Sequence, residues 1–372
     1  MAEEICSEVI GKMNFLSDFT KNVLNWVEGI DSPPYNIEFL LGDGCNQNCR
    51  FCGQYNNHFY GNTMKENRFY EIINEAADMG VKKIILTGDG EPFFNKNKAL
   101  KMMELIKKHG MYGTMDTNGT LFTEEDIKKI VEIGWDDFSV SIQGPDAKTH
   151  DYLVNLVGSF NRVIKNIELF NKWKERLNVD NPEFFITTVL TNRNFDKMDK
   201  MIDLASRLRT GFRIMSLIIC HDEGRKLALN NKQEKYFKNI LKILKKNARK
   251  KHIKLLCFDE IENSINFKEI GNKKLHKILI KDGDNKFLSS PCYEPWIRML
   301  IDSKGIVSPC GRFRLKASVK HDSVKKVWFG NEFQNIRNCI LNKKIREECD
   351  VCCEIYNTLK IREELKNALM KK

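Results

Sequence analysis

No apolar run in the 372-residue sequence approaches the roughly 20 residues that a membrane span needs, so no membrane-spanning segment is expected. The opening MAEEICSEVIGK is too acidic and too interrupted for a signal peptide, which points to a cytoplasmic location. Neither an internal repeat nor a low-complexity tract breaks the chain. The densest basic run, KILKKNARKKHIKLL over residues 242–256, lacks the interleaved aromatics that nucleic-acid binding favours. Ile240, Leu241, Ile243, Leu244 and Ala248 recur there at helical spacing, so the lysines read as the solvated face of an amphipathic helix. The net charge of +11 suggests an anionic partner, and nucleic acid is not the one expected. A disulfide framework is also excluded, because a reducing compartment keeps thiols free. Seven of the 12 cysteines fall into metal-like patterns, so metal is the better reading.

Three of them, Cys45, Cys49 and Cys52, form a CxxxCxxC run in GDGCNQNCRFCGQY, directly after the strand-like stretch YNIEFLL. Three thiolates can hold three irons of a cubane 4Fe-4S cluster and leave the fourth iron open to a small molecule. Zinc is the competing occupant, but zinc ribbons and fingers bring two CxxC or CxxH pairs, and His58 is the one local substitute for a fourth thiolate. Three ordinary buried cysteines do not fit, because Asn, Gln and Arg lie between them in a Gly-rich loop.

From residue 36 the pattern alternates between strand and helix. Strand-like YNIEFLL, KKIILTG, YGTMDTN, WDDFSVSIQ, EFFITTVLTN and GFRIMSLII are separated by helical patterns near 64–79, 98–109, 123–133, 158–176 and 194–207, with the basic helix following near 231–251. About six βα units of this kind build a parallel sheet, closed or partly closed like a barrel, with the site at the carboxyl ends of the strands. The expected fold class is thus α/β, a partial (β/α)6 TIM-like barrel. The expected division is a helical preface over 1–35, the barrel over 36–257, a linker over 258–289, a small cysteine-bearing domain over 290–355 and an exposed helix over 356–372.

Cys45, Gly88, Asp116 and Ser141 all fall at strand ends. The loop Gly88-Asp89-Gly90-Glu91-Pro92 lets a ligand approach the backbone, and its carboxylate suits an ammonium; a turn needing Gly and Pro would look the same. Asp116, Thr117 and Asn118, then Ser139, Ser141 and Gln143, add polar groups at the next strand ends. His221, Asp222 and Glu223 follow the last barrel strand and place ionisable groups at the mouth, as candidates for substrate contact or proton transfer.

In its CxxxCxxC loop, GxGEP loop and strand-end polar residues, taken in order, the chain resembles the radical SAM superfamily over roughly residues 36–257. The resemblance implies that S-adenosylmethionine binds the open iron and is cleaved reductively to methionine and a 5′-deoxyadenosyl radical. It places Phe51 beside the adenine, Gly88, Gly90 and Glu91 at the methionyl ammonium, and Asp116 or Asn118 at the ribose. Two departures stand out. Asp89 occupies a position that is often glycine, and the HDxxR pattern of many relatives is broken, since His150 and Asp151 are followed by Val154. Arg162 and Arg213 are the candidate donors to the methionyl carboxylate in its place.

The C-terminal region carries Cys292 in SPCYEPWIRMLID, Cys310 in GIVSPCG, and Cys349 and Cys352 in CDVCC, with Cys353 adjacent. IRMLIDSKGIVSP reads as a hairpin around a Ser-Lys-Gly turn. This layout resembles the SPASM and twitch domains of radical SAM enzymes, which implies an auxiliary 4Fe-4S cluster on Cys292, Cys310, Cys349 and Cys352. The single-cluster twitch form fits the cysteine count, and a four-cysteine zinc site is the alternative. Cys339 and Cys353 are spare ligands, while Cys6, Cys220 and Cys257 read as buried or free thiols.

These features imply an oxygen-sensitive radical SAM oxidoreductase or related radical enzyme. Its expected partners are an electron donor such as ferredoxin or flavodoxin, and a small-molecule or peptide substrate. A small anionic molecule is favoured by the basic balance, a ribosomal peptide or protein is the alternative, and a non-catalytic metal-binding protein is the third class.

Overall fold

The computed structural model describes residues 17–56, 63–256, 286–311, 314–344, 349 and 355–369. In chain order its principal elements are α1 (Asp18–Val27), β1 (Asn36–Leu40), α2 (Glu66–Met79), β2 (Lys83–Thr87), α3 (Lys96–Lys108), β3 (Tyr112–Thr117), α4 (Glu124–Glu132) and β4 (Asp137–Ser141). There follow α5 (Ala147–Val154), α6 (Ser159–Leu177), β5 (Glu183–Val189), α7 (Met198–Leu208), β6 (Gly211–Met215), α8 (Asn231–Lys250) and β7 (Leu255–Leu256). The remainder comprises β8 (Arg298–Ile301), β9 (Val307–Ser308), α9 (Asn331–Leu341) and α10 (Ile355–Leu369). The chain forms two compact units, one from Met1–Glu38, Asn74–Lys83 and Glu269–Lys372, the other from Phe39–Ile73 and Ile84–Lys268. Among the described residues, no helix is long and apolar enough to cross a membrane.

In the larger unit, β2 to β7 lie side by side in chain order, and the pairs from β3 onward are parallel. Alternation along each strand sends Ile84, Leu86, Phe138, Val140, Ile186, Phe212 and Ile214 into the core. The opposite face carries Asp116, Ser139, Thr187 and Arg213. Their register is fixed by Asp116 opposite Ser139 and Thr187 opposite Arg213. The core centres on aromatic rings: Phe122 lies 4.3 Å from Phe93, 5.6 Å from Phe138 and 5.5 Å from Phe170, centroid to centroid. Burying each such ring contributes roughly 1.5–3 kcal/mol.

Helix starts are marked by side chains the sequence supplies at the right offset. Thr123 and Asp126 form a reciprocal capping box on α4, as Asn230 and Gln233 do on α8, and Asp146 caps α5. Asn155, Asn178 and Arg209 adopt left-handed backbone where α5, α6 and α7 end. Two strands are shorter than their apolar runs: GFRIMSLII pairs as far as Met215 and EFFITTVLTN as far as Val189. The helix α5, absent from the expected pattern, begins where the Asp146 carboxylate caps the backbone N–H of Thr149, after the Gln-Gly-Pro turn.

The smaller unit contains the expected hairpin, with β8 and β9 antiparallel, Leu300 opposite Ser308, and Gly305 in the left-handed region of the turn. Its core encloses Arg337 among Trp26, Trp328 and Phe333, with ring centroids 4.5, 4.4 and 5.2 Å from the guanidinium carbon. The same guanidinium donates to the carbonyls of Pro295 and Trp328, while burial lowers its pKa to about 9. Helix α10 is fastened to α1 by Glu364, which accepts from the Ser17 backbone and from the Ser17 and Thr20 hydroxyls.

Candidate active site

The loop after β1 turns at Gly44, whose φ of 114° belongs to glycine, and carries Cys45, Cys49 and Cys52. It is held at both ends. Asp43 pairs with the fully buried ammonium of Lys98 on α3, which also lies 4.5 Å from the Phe69 ring centroid. The Cys52 N–H donates to the Cys49 carbonyl and the Tyr55 N–H to that of Cys52, so the second half of the loop winds into successive turns. Gln47 reaches inward from between the first two cysteines and donates to Ser159 Oγ at 2.8 Å, a hydroxyl that also bonds His150 Nε2 at 3.1 Å. The Gln143 backbone N–H donates to His150 Nδ1. That assigns the proton to Nε2, and burial lowers the imidazole pKa to about 4, so His150 is a neutral brace.

The three thiols border one cavity of about 300 Å³ together with Gly88, Asp89 and Gly90. Burial pushes Cys45 up to about 11, Cys49 well above its ordinary value, and Cys52 upward, with charge repulsion from the neighbouring cysteines adding to the first two. Thiols in this state are neutral until a cation displaces their protons, which is what a thiolate-bound metal centre does. Among the described residues, no three His, Cys, Asp or Glu side chains are grouped as a single metal ion requires. A cubane needs a different arrangement, with each of three thiolates on its own iron around a shared hollow, and the cavity has that donor set.

The Gly-Asp-Gly-Glu loop forms the opposite wall. A Cβ on Gly90 would collide with the Gly44 carbonyl, and the Glu91 N–H donates to that carbonyl at 2.7 Å. Close backbone approach is therefore the reason for glycine at this position. Glu91 is buried and braces the fold: it accepts from the Phe93 N–H at 3.1 Å, the Thr117 hydroxyl at 2.5 Å and the Asn118 N–H at 2.7 Å. Desolvation outweighs those bonds and raises its pKa to about 7. Three donors leave its carboxylate room for one more. Asn118 in turn bonds Asn46 in the cysteine loop at 2.8 Å and points its amide at Cys45 Sγ, 4.0 Å away.

Asp116 is open to solvent yet surrounded by protein; desolvation raises its pKa, with Arg213 and hydroxyl bonds from Ser139 and Thr87 acting in the other direction. Ser139 also bonds Thr187 at 2.7 Å. Phe51 is half-buried in the cysteine loop, and Ser141 half-buried at the end of β4. Gln143 lies deeper, its side-chain oxygen accepting from the Val189 N–H. Arg162 extends along the surface, its guanidinium on the carbonyls of Gly158 and Val157. Asp151 caps the start of α6 through the N–H groups of Gly158 and Phe160.

After β6, His221 donates from Nε2 to the Cys52 carbonyl at 2.8 Å, accepts the Gly224 N–H at Nδ1, and stacks on Tyr55 at 5.2 Å. Glu223 pairs with Arg50 at 3.3 Å and Lys226 at 2.9 Å, whereas Asp222 projects into solvent. Of these three residues, two are engaged in fastening the cysteine loop. Tyr55, Gln47, Lys98 and Arg50 were given no role from the sequence, since each acts through long-range contacts that leave no periodic signal.

In the other unit, Cys292, Cys310 and Cys349 are half-buried, and Cys339 is half-buried on α9. Ser290 Oγ donates to the Cys292 carbonyl at 2.6 Å. Cys352 and Cys353 lie outside the described residues, as do Cys6, Cys257 and His58.

Residues 39–205 match the Radical SAM superfamily, and residues 292–354 match an iron-sulfur cluster-binding domain, SPASM. An AdoMet-dependent heme synthase of Methanosarcina barkeri is 25% identical over 323 residues, covering 86% of this chain and 88% of that protein. A probable GTP 3′,8-cyclase of Pyrococcus abyssi is 30% identical over 148 residues, 39% of this chain and 46% of its own. Among solved structures, Streptococcus suis SuiB bound to S-adenosylmethionine aligns with a TM-score of 0.62 at 15% identity, over 87% of this chain and 74% of that one. The anSMEcpe structure with bound AdoMet aligns at 0.60 and 18% identity, over 90% and 98%. At these identities the two structures establish likeness of fold.

Proposed function

The chain is a radical SAM enzyme with a SPASM domain, and we propose that it abstracts a hydrogen atom from a small anionic molecule and uses its auxiliary cluster in the oxidation or modification that follows. When bound, the open 4Fe-4S cluster and S-adenosylmethionine supply a 5′-deoxyadenosyl radical, and the auxiliary cluster supplies an electron acceptor or a substrate anchor.

The residues of this chain bind, orient and shield. Cys45, Cys49 and Cys52 would hold the first cluster. Cys292, Cys310, Cys349 and Cys352 would hold the auxiliary one. Gly88 and Gly90 leave backbone exposed for a ligand's polar end, and buried Glu91 holds that loop to Phe93, Thr117 and Asn118. Asn118, locked by Asn46 and Thr120, fixes the edge of the cavity. Gln47, His150 and Ser159 hold the loop from beneath, which keeps the donor set preorganised.

The observation that carries the small-anion reading is Arg213. Its guanidinium lies on the sheet face that also bears Asp116, Ser139 and Thr187, with the Phe185 ring 6.0 Å away. A planar fork of donors on a polar strand face suits a carboxylate or phosphate. Supporting it, the relative of matching length is named for making heme, a small molecule. The test is to incubate anaerobically reconstituted, reduced protein and S-adenosylmethionine with fractionated cell extract, following stimulated 5′-deoxyadenosine release. Stimulation by a low-mass anionic fraction, weakened in Arg213→Met, is the expected result. Stimulation confined to a peptide fraction would replace this reading with that of a peptide maturase.

A further inference from the structure

We propose that the surface centred on Tyr152, behind the cysteine loop, docks an acidic one-electron carrier protein that reduces the cluster. The inference rests on the reading of Cys45, Cys49 and Cys52 as cluster ligands, and it names where the electron enters.

Two guanidinium groups lie near the exposed Tyr152 ring, Arg50 at 4.8 Å and Arg193 at 5.2 Å from its centroid. Cation–π contacts of this kind keep both arginines extended over the surface. Beside the ring, Val157 is 89% exposed, and a cleft of about 490 Å³ runs between Lys148, Asp151, Tyr152 and Asn155. Arg162, Arg193 and Lys148 are all exposed. The carboxylates in this region are already engaged. Asp151 accepts two backbone N–H groups at the start of α6, Asp146 caps α5, and Glu223 is shared between Arg50 and Lys226. Those carboxylates keep their charge, but the four cations Lys148, Arg50, Arg162 and Arg193 outnumber the three anions Asp146, Asp151 and Glu223, so the patch is net positive, with an aromatic and an aliphatic side chain at its centre. Exposed Arg and Tyr around an apolar centre are the composition that protein interfaces favour.

The surface is also bonded directly to the metal-binding loop. The N–H of Asn48 donates to the Val154 carbonyl at 3.3 Å, the N–H of Arg50 to the Leu153 carbonyl at 2.9 Å, and Arg50 Nε to the Tyr152 carbonyl at 3.0 Å. Residues on both sides of Cys49 are thus one hydrogen bond from the patch. A carrier seated on Tyr152 would be oxidised by one electron, and a cluster held by Cys45, Cys49 and Cys52 would be reduced by it. Redox encounters of this type use small, charge-steered interfaces, because the partner must leave after each transfer.

The test compares two reductants on the anaerobically reconstituted holoenzyme, reading 5′-deoxyadenosine formation from S-adenosylmethionine, and beside it the calorimetric affinity of oxidised flavodoxin, which should be about tenfold weaker in Lys148→Glu/Arg193→Glu than in wild type and, if equal, overturns the proposal. With reduced flavodoxin, an acidic carrier, the rate should fall as salt rises from about 0.01 M to about 0.5 M, since screening removes steering. With dithionite, which needs no docking surface, it should not. The double variant Lys148→Glu/Arg193→Glu should lose about tenfold of the flavodoxin-driven rate at low salt, the scale of electrostatic steering, while its dithionite-driven rate stays at wild-type level. A flavodoxin-driven rate in the unmodified chain that ignores salt, or a double variant as fast with flavodoxin as wild type, would overturn the proposal. Should the double variant lose its dithionite rate through misfolding, the salt dependence of the unmodified chain still decides. Absence of cleavage with both reductants in the unmodified chain would instead contradict the cluster reading itself.

Discussion

The two cysteine sets of this chain are built in opposite ways. Cys45, Cys49 and Cys52 lie in one loop between a strand and its following helix; Lys98, Asn118 and His221 bond to that loop from other elements, and its own Gln47 bonds outward to Ser159. Cys292, Cys310 and Cys349 come from separate segments, with a hairpin and a helix between them. A loop that supplies three ligands is preorganised by its own turns and braces before metal arrives. A set collected across a domain depends on the metal to close it, as small metal domains do. On the proposed reading, that difference would suit the first set to a reactive cluster with a coordination position left over, and the second to closing its domain.

Breaking either set should therefore have distinct consequences, and these are the largest effects expected. Cys49→Ala should reduce 5′-deoxyadenosine formation to background. Cys349→Ala/Cys352→Ala should keep slow, uncoupled cleavage while product formation falls to background, provided circular dichroism shows the variant folded. Full product from a well-folded double variant would mean that the C-terminal cluster is structural. Metal analysis sharpens the comparison. Wild type should hold about eight iron atoms per chain after anaerobic reconstitution, and each variant about four. Zinc in the C-terminal set would instead leave wild type with about four.

A smaller effect should come from the wall of the first site alone. Gly90→Ala forces its new methyl against the Gly44 carbonyl, which must move the cysteine loop. A displacement near 1 Å at a reacting centre costs about 100-fold, so cleavage should fall by that order while iron content holds. An unchanged rate would mean that the two loops are not rigidly coupled.

The smallest effect is a pH signature of the braces. Glu91, raised from 4.5 to about 7, keeps a proton in the folded chain that the unfolded chain releases, so its contribution to stability falls as pH rises through that interval. His150, lowered from 6.5 to about 4, resists a proton that the unfolded chain accepts, so its contribution falls as pH drops. The two slopes oppose each other. Urea unfolding of the metal-free chain between about pH 5 and about pH 7 should show Glu91→Gln gaining stability towards pH 7 relative to wild type, and His150→Gln losing it, each by at most about 1.4 kcal/mol per pH unit. Parallel curves for all three proteins would contradict the assigned protonation states.

Much of this was legible from residues alone, for a physical reason. Strand and helix periodicity is a local property, so KKIILTG and YGTMDTN fell within a residue of β2 and β3, and the CxxxCxxC spacing marked three thiols that the structure sets around one cavity. What escaped depends on long-range pairing. GFRIMSLII was too long because Ile218 and Ile219, apolar but 49% and 41% exposed, lie past the last strand partner. The same limit hid the His150–Ser159–Gln47 brace, in which Gln47 and Ser159 are 112 positions apart. His221 and Glu223 were noticed for their position at the strand end, and the structure gives them bonds to the cysteine loop that no spacing rule encodes.

The most direct measurement is electron paramagnetic resonance of the anaerobically reconstituted, reduced protein, recorded before and after S-adenosylmethionine is added. The central claim is that the loop at Cys45, Cys49 and Cys52 holds a 4Fe-4S cluster with one iron open to that molecule. It predicts a reduced-cluster signal that changes on addition, in wild type and in Cys349→Ala/Cys352→Ala but not in Cys49→Ala. A wild-type spectrum indifferent to S-adenosylmethionine, or a colourless protein containing zinc, would contradict it.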